Sequence, residues 1–105
     1  MKHFINLRDI PTKELKKIIL DAKKRKALRK NSNILDSDKD IPLKDSLLIQ
    51  MFEKSSLRTR LSFSIAIKQL GGGELTLRPD ELHLSKGGES LADTAKIIST
   101  FGNAF

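Results

Sequence analysis

The chain has 105 residues, which leaves room for one small domain. Its formal net charge is +7, from twenty Lys and Arg against thirteen Asp and Glu. Its 38% hydrophobic and 31% charged residues suit a globular chain with a modest core. No apolar run is long enough to cross a membrane, and the first residues lack the apolar stretch of a secretory signal. The absence of Cys excludes disulfides, a Cys nucleophile and thiolate metal sites. The missing Cys fits a reducing compartment such as the cytoplasm. We expect a cytoplasmic protein with no metal, no cofactor and no membrane partner.

The positive charge is concentrated in the first sixty residues, which hold sixteen basic and eight acidic side chains, against four and five in the remainder. Much of it lies between residues 13 and 30, which is one way to build a patch for nucleic acid or an anionic membrane. In the same stretch, Leu15, Ile18, Ile19 and Ala22 recur at helical spacing, which favours a helix whose lysines are solvated opposite a core. No aromatic residue lies among the lysines to stack on bases. A solvated helix face is therefore preferred, and a basic nucleic-acid-binding module is kept as an alternative.

The first half of the chain predicts one helix and one strand. Pro11 opens the helix, with Thr12 as its N-cap, and the helix ends near Lys30. The polar, turn-rich stretch 31–40 is predicted to be an exposed loop. The short, nearly continuous apolar run 46–52 is typical of a strand that is buried on both faces of a parallel sheet.

The second half begins with a predicted helix over residues 58–70, which the glycines of 71–73 terminate. Its buried face is predicted to carry Leu61, Phe63, Ile65, Ile67 and Leu70. Residues 74–78 alternate weakly and predict a second strand, which Pro79 ends.

A third helix is predicted after a loop over residues 80–88, because Ser90 and Asp93 have the spacing of a capping box. Its buried side is predicted to carry Leu91, Ala95, Ile98 and Phe101. Residues 102–105 resemble the start of another strand. The order helix, strand, helix, strand, helix predicts an α/β fold in which a parallel sheet is flanked by helices. Because a sheet of two strands is thin, we expect the chain to be part of a larger protein.

The candidate site is the segment 52–60 (FEKSSLRTR), which lies where the first strand ends and the second helix begins. The first-turn amides of a helix have no partner within it, and that end of the helix is positive. Hydroxyl groups donate to phosphate oxygens and a guanidinium neutralises them, so the segment predicts an oxyanion or phosphate site. In the alternative, Ser56 only caps the helix while Arg58 and Arg60 pair with surface carboxylates. The residues by themselves leave both interpretations open, since there is no glycine-rich phosphate loop.

Within this segment, the run Ser-Leu-Arg-Thr-Arg resembles the S-T-R-T-R carbamoyl-phosphate signature of the aspartate and ornithine carbamoyltransferase family. Three further stretches resemble the family in the same order: 3–9 (HFINLRD), 69–72 (QLGG) and 82–95 (LHLSKGGESLADTA). Lys54 after Phe-Glu and the opening His3-Phe4 favour the ornithine branch, and the aspartate branch is the alternative. The match covers essentially the whole chain.

The resemblance implies a set of phosphate ligands: Ser56, Leu57, Arg58 and Thr59. Leu57 stands where the family usually has Thr, so only its backbone amide would remain as a donor. His83 and Lys86 would reach the phosphate site of a neighbouring subunit, which implies a homotrimer, whereas Arg60 would be structural or lie in the subunit interface.

The resemblance also implies a domain organisation and a reaction. Residues 1–105 would be a carbamoyl-phosphate-binding domain that is truncated at its C-terminal end, the incomplete N-terminal domain of a two-domain carbamoyltransferase, and the amino-acid-binding domain would be absent. In such enzymes the amine of L-ornithine attacks carbamoyl phosphate to give L-citrulline and phosphate, a step of arginine biosynthesis. We therefore expect the chain to bind carbamoyl phosphate, to reach ornithine only through the missing domain, to hold no complete catalytic set and to be inactive alone.

Overall fold

The computed structural model describes residues 3–82 and 90–105. The chain divides into two compact units, one ending at Asn33 and the other spanning Ile34–Phe105. In the part of the chain that is described, no helix is both long and apolar enough to span a membrane.

The first unit contains a short 3₁₀ turn over Leu7–Asp9 and one long helix, α1, over Thr12–Leu28. The amide of Leu15 donates to the Pro11 carbonyl at 3.1 Å, so the helical ladder begins one residue earlier than predicted. Pro11 therefore occupies the N-cap position and makes no side-chain cap bond. The prediction that Thr12 is the cap is wrong.

The apolar stripe of α1 does not face a core within its unit. No residue of α1 is buried, and Ile18 and Ile19 are each 55% exposed. The unit has no second large element against which an amphipathic helix could bury its stripe, and burial requires such a layer. The prediction of a core-facing stripe is therefore not met inside this unit.

The second unit has the predicted alternation of strands and helices. Strand β1 covers Leu47–Met51, helix α2 covers Leu57–Gln69, and strand β2 covers Gly73–Leu77. A 3₁₀ turn over Pro79–Leu82 follows, and helix α3 covers Leu91–Phe101. The predicted cap at Ser90 is confirmed, since the amide of Asp93 donates to the Ser90 hydroxyl at 3.1 Å, which is one of the two bonds of a capping box.

The two strands form a parallel sheet whose register runs from Leu47 opposite Gly73 to Met51 opposite Leu77. Ala104 forms a parallel bridge with Leu48, and the amide of Ile49 donates to the Ala104 carbonyl at 2.9 Å. Strand β1 is therefore central, with β2 on one edge and the start of a further strand on the other. This confirms the predicted α/β class and the strand lead-in at the end of the chain.

The core of the second unit is small, and only part of each predicted helix face contributes to it. Ile49, Ile67 and Ile98 are its buried hydrophobic residues. Phe63 and Phe101 were predicted to be buried but are 52% and 73% exposed. Ile67 and Ile98 are buried as predicted, but the inward positions of α2 and α3 also include polar residues such as Thr94, which apolar spacing alone did not identify.

The C-terminal end of α2 is fully provided with hydrogen bonds. Gly71 and Gly72 donate to the carbonyls of Lys68 and Ile67 in the pattern of a Schellman motif, with Gly71 at φ +90°. The preceding loop supplies the rest, since the amides of Asp38 and Leu43 bond the carbonyls of Gln69 and Leu70 at 2.7 and 2.9 Å. The last carbonyls of the helix thus have partners.

Replacing Gly71 with alanine is expected to destabilise the protein by about 1–3 kcal/mol, because an L side chain is strained at this positive φ. A Cβ at this position would also lie 2.7 Å from the Cβ of Ile41. Gly73→Ala is the matched control, since nothing lies within 4 Å of its added Cβ. The measurement is urea unfolding of both variants. Equal midpoints would contradict the assigned geometry.

Candidate functional site

The N-terminal end of α2 lacks the protection that its C-terminal end has. Ser56 occupies the N-cap position, at φ −141° and ψ 61°, but its side chain makes no cap hydrogen bond. The first bond of the helical ladder runs from the Arg60 amide to the Ser56 carbonyl at 2.9 Å. The amides of Leu57, Arg58 and Thr59 therefore precede the ladder as donors that a ligand can use.

The first turn of α2 carries positive charge, whereas the N-terminal end of a helix favours negative charge. The first turn contains no acidic residue, whereas Arg58 lies within it and Arg60 directly follows. A cation at the positive end of a helix dipole is unfavourable by about 0.3–1 kcal/mol. Among the side chains that the structure describes, neither guanidinium forms an ion pair with a carboxylate. An anion bound at this end would reverse the penalty, which favours the phosphate interpretation over pairing with surface carboxylates.

An open cavity of about 300 Å³ lies beside this end of α2. It is formed where β1 and β2 end, the edge at which parallel sheets bind ligands. Its lining consists of Phe52, Glu53, Lys54, Ser55, Ser56, Leu57, Arg60, Thr76, Leu77, Arg78 and Pro79. Three basic side chains against one acidic side chain give the cavity a positive charge that suits an anionic ligand.

The predicted site residues are divided between this cavity and the open surface. Ser56 and Leu57 line the cavity. Arg58 and Thr59 are exposed and lie on the part of the first turn that is not in the lining. The Arg58 carbonyl accepts a hydrogen bond from the Ser62 hydroxyl at 2.8 Å. His83 and Lys86 lie outside the described residues.

Sequence reasoning missed two polar side chains of the cavity, Thr76 and Arg78, which lie outside the segment 52–60. Arg78 directly follows β2, so its position at the carboxyl end of a predicted strand was a usable signal. Its guanidinium lies 3.7 Å from the Asp80 carboxylate. In the described part of the chain, no group of three His, Asp or Glu side chains is arranged to hold a metal ion.

Residues 2–105 match the family model of the aspartate/ornithine carbamoyltransferase carbamoyl-phosphate-binding domain. The chain belongs to this family. The match includes the β1–α2 junction on which the site is built, and it confirms the resemblance carried by the Ser-Leu-Arg-Thr-Arg run.

Proteins that are similar over nearly the whole chain include ornithine carbamoyltransferases of several bacteria. The chain is 43% identical over 103 residues to that of Hydrogenovibrio crunogenus, covering 98% of the chain and 32% of the relative. It is 40% identical over 104 residues to that of Brucella ovis, covering 99% of the chain and 31% of the relative. The chain therefore spans about a third of the length of these carbamoyltransferases.

Solved structures of both branches of the family have the same fold. The ornithine carbamoyltransferase of Pyrococcus furiosus matches with a TM-score of 0.77 at 34% identity, over 92% of this chain and 29% of that one. The catalytic subunit of M. jannaschii aspartate transcarbamoylase matches with a TM-score of 0.74 at 35% identity, over 97% of this chain and 32% of that one. The chain thus has the carbamoyltransferase fold, as an incomplete N-terminal domain, which agrees with the prediction from the sequence. Fold similarity does not separate the ornithine branch from the aspartate branch.

Proposed function

We propose that this chain is the carbamoyl-phosphate-binding part of an ornithine carbamoyltransferase. The observation that carries the proposal is the uncapped first turn of α2, whose free amides lie at the carboxyl edge of the sheet beside a basic cavity. The family membership supports carbamoyl phosphate as the anion. The ornithine branch is supported by the names of the similar bacterial proteins.

In the proposed complex, Ser56 and Thr59 donate from their hydroxyls and Leu57 donates from its amide, while Arg58 forms a fork-shaped contact with the phosphate. The ornithine amine attacks the carbamoyl carbon, a C–N bond forms, and the C–O bond to phosphate breaks as the amine loses a proton. Negative charge then develops on the departing phosphate. Donors fixed in advance at the helix end stabilise that charge without reorganising during the step.

The remaining parts of the proposal concern groups beyond the described residues of this chain. His83 and Lys86 would complete the phosphate site of a neighbouring subunit, which makes the active assembly a homotrimer in the cytoplasm. L-Ornithine would be held by an amino-acid-binding domain that these 105 residues do not include, and the reaction would serve arginine biosynthesis. The chain alone is then expected to bind carbamoyl phosphate and to transfer nothing.

Aspartate is the second candidate substrate, and the likeness to the aspartate transcarbamoylase of M. jannaschii favours it. The complete gene product is expected to form citrulline from ornithine with a kcat/KM at least about 100-fold higher than for carbamoylation of aspartate. The reason is that a site built for one polar side chain leaves its buried polar groups unpaired with the other.

The measurement is the initial rate with each amino acid at saturating carbamoyl phosphate. Activity on aspartate alone would overturn the ornithine assignment and keep the family. Activity on neither amino acid, with no protection by carbamoyl phosphate against thermal unfolding, would overturn the proposed function itself.

A further inference from the structure

A polar cluster lies between α2 and the sheet, at a layer that is usually apolar. The amide nitrogen of Gln50 on β1 donates to the Ser64 hydroxyl of α2 at 3.1 Å and to a carboxylate oxygen of Glu74 on β2 at 3.2 Å. The Thr76 hydroxyl donates to the same Glu74 oxygen at 3.0 Å. We call these four residues the helix–sheet cluster, and it joins three elements through one buried side chain.

Because Gln50 is buried, its hydrogen bonds restrict the position of α2 on the sheet. Gln50 is only 6% exposed, and both hydrogens of its amide nitrogen are used by the two bonds. A buried amide that loses a partner retains its desolvation penalty, so the arrangement with both bonds is strongly preferred. Apolar contacts are non-directional, whereas hydrogen bonds have narrow distance and angle ranges. The cluster therefore restricts how α2 slides and turns on the sheet.

The position of Ser64 connects the cluster to the candidate site. Leu57, Arg60, Ser64 and Ile67 recur at helical spacing and so share one face of α2. Ile67 is buried, Ser64 bonds Gln50, and Leu57 and Arg60 line the cavity. Because successive helical residues are about 100° apart, a turn of one position would exchange Arg60 for a neighbour and redirect Arg58.

We propose that the helix–sheet cluster is a positioning device, which fixes the rotation of α2 and thereby aims its first-turn donors at carbamoyl phosphate. The inference rests on the proposed function, and it assigns to Gln50, Ser64 and Glu74 a role that acts through the first-turn donors of α2, Arg58 among them. None of the three touches the substrate.

The test is Ser64→Ala in the complete gene product, with Ser62→Ala as the matched control. Ser62 lies two residues before Ser64 on the same helix and is exposed. In the described part of the chain its hydroxyl donates only to the Arg58 carbonyl. Ser64→Ala is expected to raise the KM for carbamoyl phosphate about fivefold, the effect of one lost hydrogen bond. Ser64→Thr keeps the hydroxyl and is expected to have the KM of the unsubstituted protein. Ser62→Ala is expected to change the KM less than about twofold.

A double-mutant cycle separates positioning from stability. Because Arg58 is one of the donors that the cluster aims, Ser64→Ala is expected to add less than its fivefold effect to the loss caused by Arg58→Ala, whereas independent effects would multiply fully. Glu74→Gln, which keeps an acceptor oxygen, tests the same chain of contacts from the sheet side. A KM for Ser64→Ala equal to that of Ser62→Ala, or full multiplicativity with Arg58→Ala, would overturn the positioning role. Absence of carbamoyl-phosphate binding by the unsubstituted protein would overturn the proposed function and this inference together.

Discussion

Arg58→Ala is expected to weaken carbamoyl-phosphate binding by the complete gene product at least about 100-fold, because a forked guanidinium–phosphate contact contains two charge-assisted hydrogen bonds. The guanidinium lies in the first turn of α2, a turn that contains no acidic residue to neutralise it before the phosphate binds. The measurement is the KM for carbamoyl phosphate together with inhibition by inorganic phosphate. Both affinities are expected to fall, since the contact is to the phosphoryl oxygens.

Lys68→Ala is the matched control, because Lys68 is an exposed cation in the last turn of the same helix. It removes one positive charge from the opposite end and is expected to leave the KM unchanged. The two substitutions are expected to have opposite effects on the stability of α2. Without ligand, Arg58→Ala is expected to stabilise α2 and Lys68→Ala to destabilise it, each by about 0.3–1 kcal/mol, from their interaction with the helix dipole. An unchanged KM for Arg58→Ala would contradict the assigned role.

The elements of the second unit were accessible from the sequence because their signals are local. The apolar run before the candidate site predicted β1, and the glycines after α2 predicted its end, which the structure places at Gln69. The Ser90–Asp93 spacing predicted the cap of α3, and the hydrogen bond is present. Because each of these signals acts within a few residues, it can be recognised in the sequence without knowledge of the tertiary contacts.

The inward faces of the helices were not accessible in the same way. On α2, Phe63 is exposed while Ser64 takes the position against the sheet. Serine and glutamate are typical surface residues, and here their hydrogen bonds with the buried Gln50 hold Ser64 and Glu74 half-buried between α2 and the sheet. On α3 the buried pair includes Thr94, a residue type that an apolar pattern ignores. Tertiary contacts therefore decided what spacing could not: polar pairing did so on α2, whereas the buried Thr94 hydroxyl of α3 has no hydrogen-bond partner among the described residues.

The candidate site was predictable in its donors but not in its shape. A strand followed by Ser56 and two arginines places free amides at the start of a helix, and the structure has them there. The cavity also requires Thr76 and Arg78 from β2 and the residue that follows it, and their nearness to α2 depends on the parallel pairing of two strands. A long-range pairing of this kind is set by the fold rather than by local sequence.

Leu57→Pro should isolate the contribution of a single backbone donor at the site. Leu57 is the first residue of α2, the position at which proline is tolerated because its fixed φ suits a helix start. The substitution deletes the amide hydrogen and leaves the hydroxyls and guanidinium in place. Loss of one hydrogen bond to a charged phosphate is expected to weaken binding by about 10- to 100-fold.

Leu57→Ala separates the amide from the side chain, since it removes the isobutyl group and keeps the donor. The Leu57 side chain is 57% exposed, so the expected change in KM for carbamoyl phosphate is less than about twofold. Circular dichroism of both variants establishes that α2 is intact. Equal KM values for the proline and alanine variants would mean that phosphate is not bound by the first amide of α2. A large loss in the alanine variant would instead assign the contact to the side chain, against the interpretation that an amide suffices where the family usually has Thr.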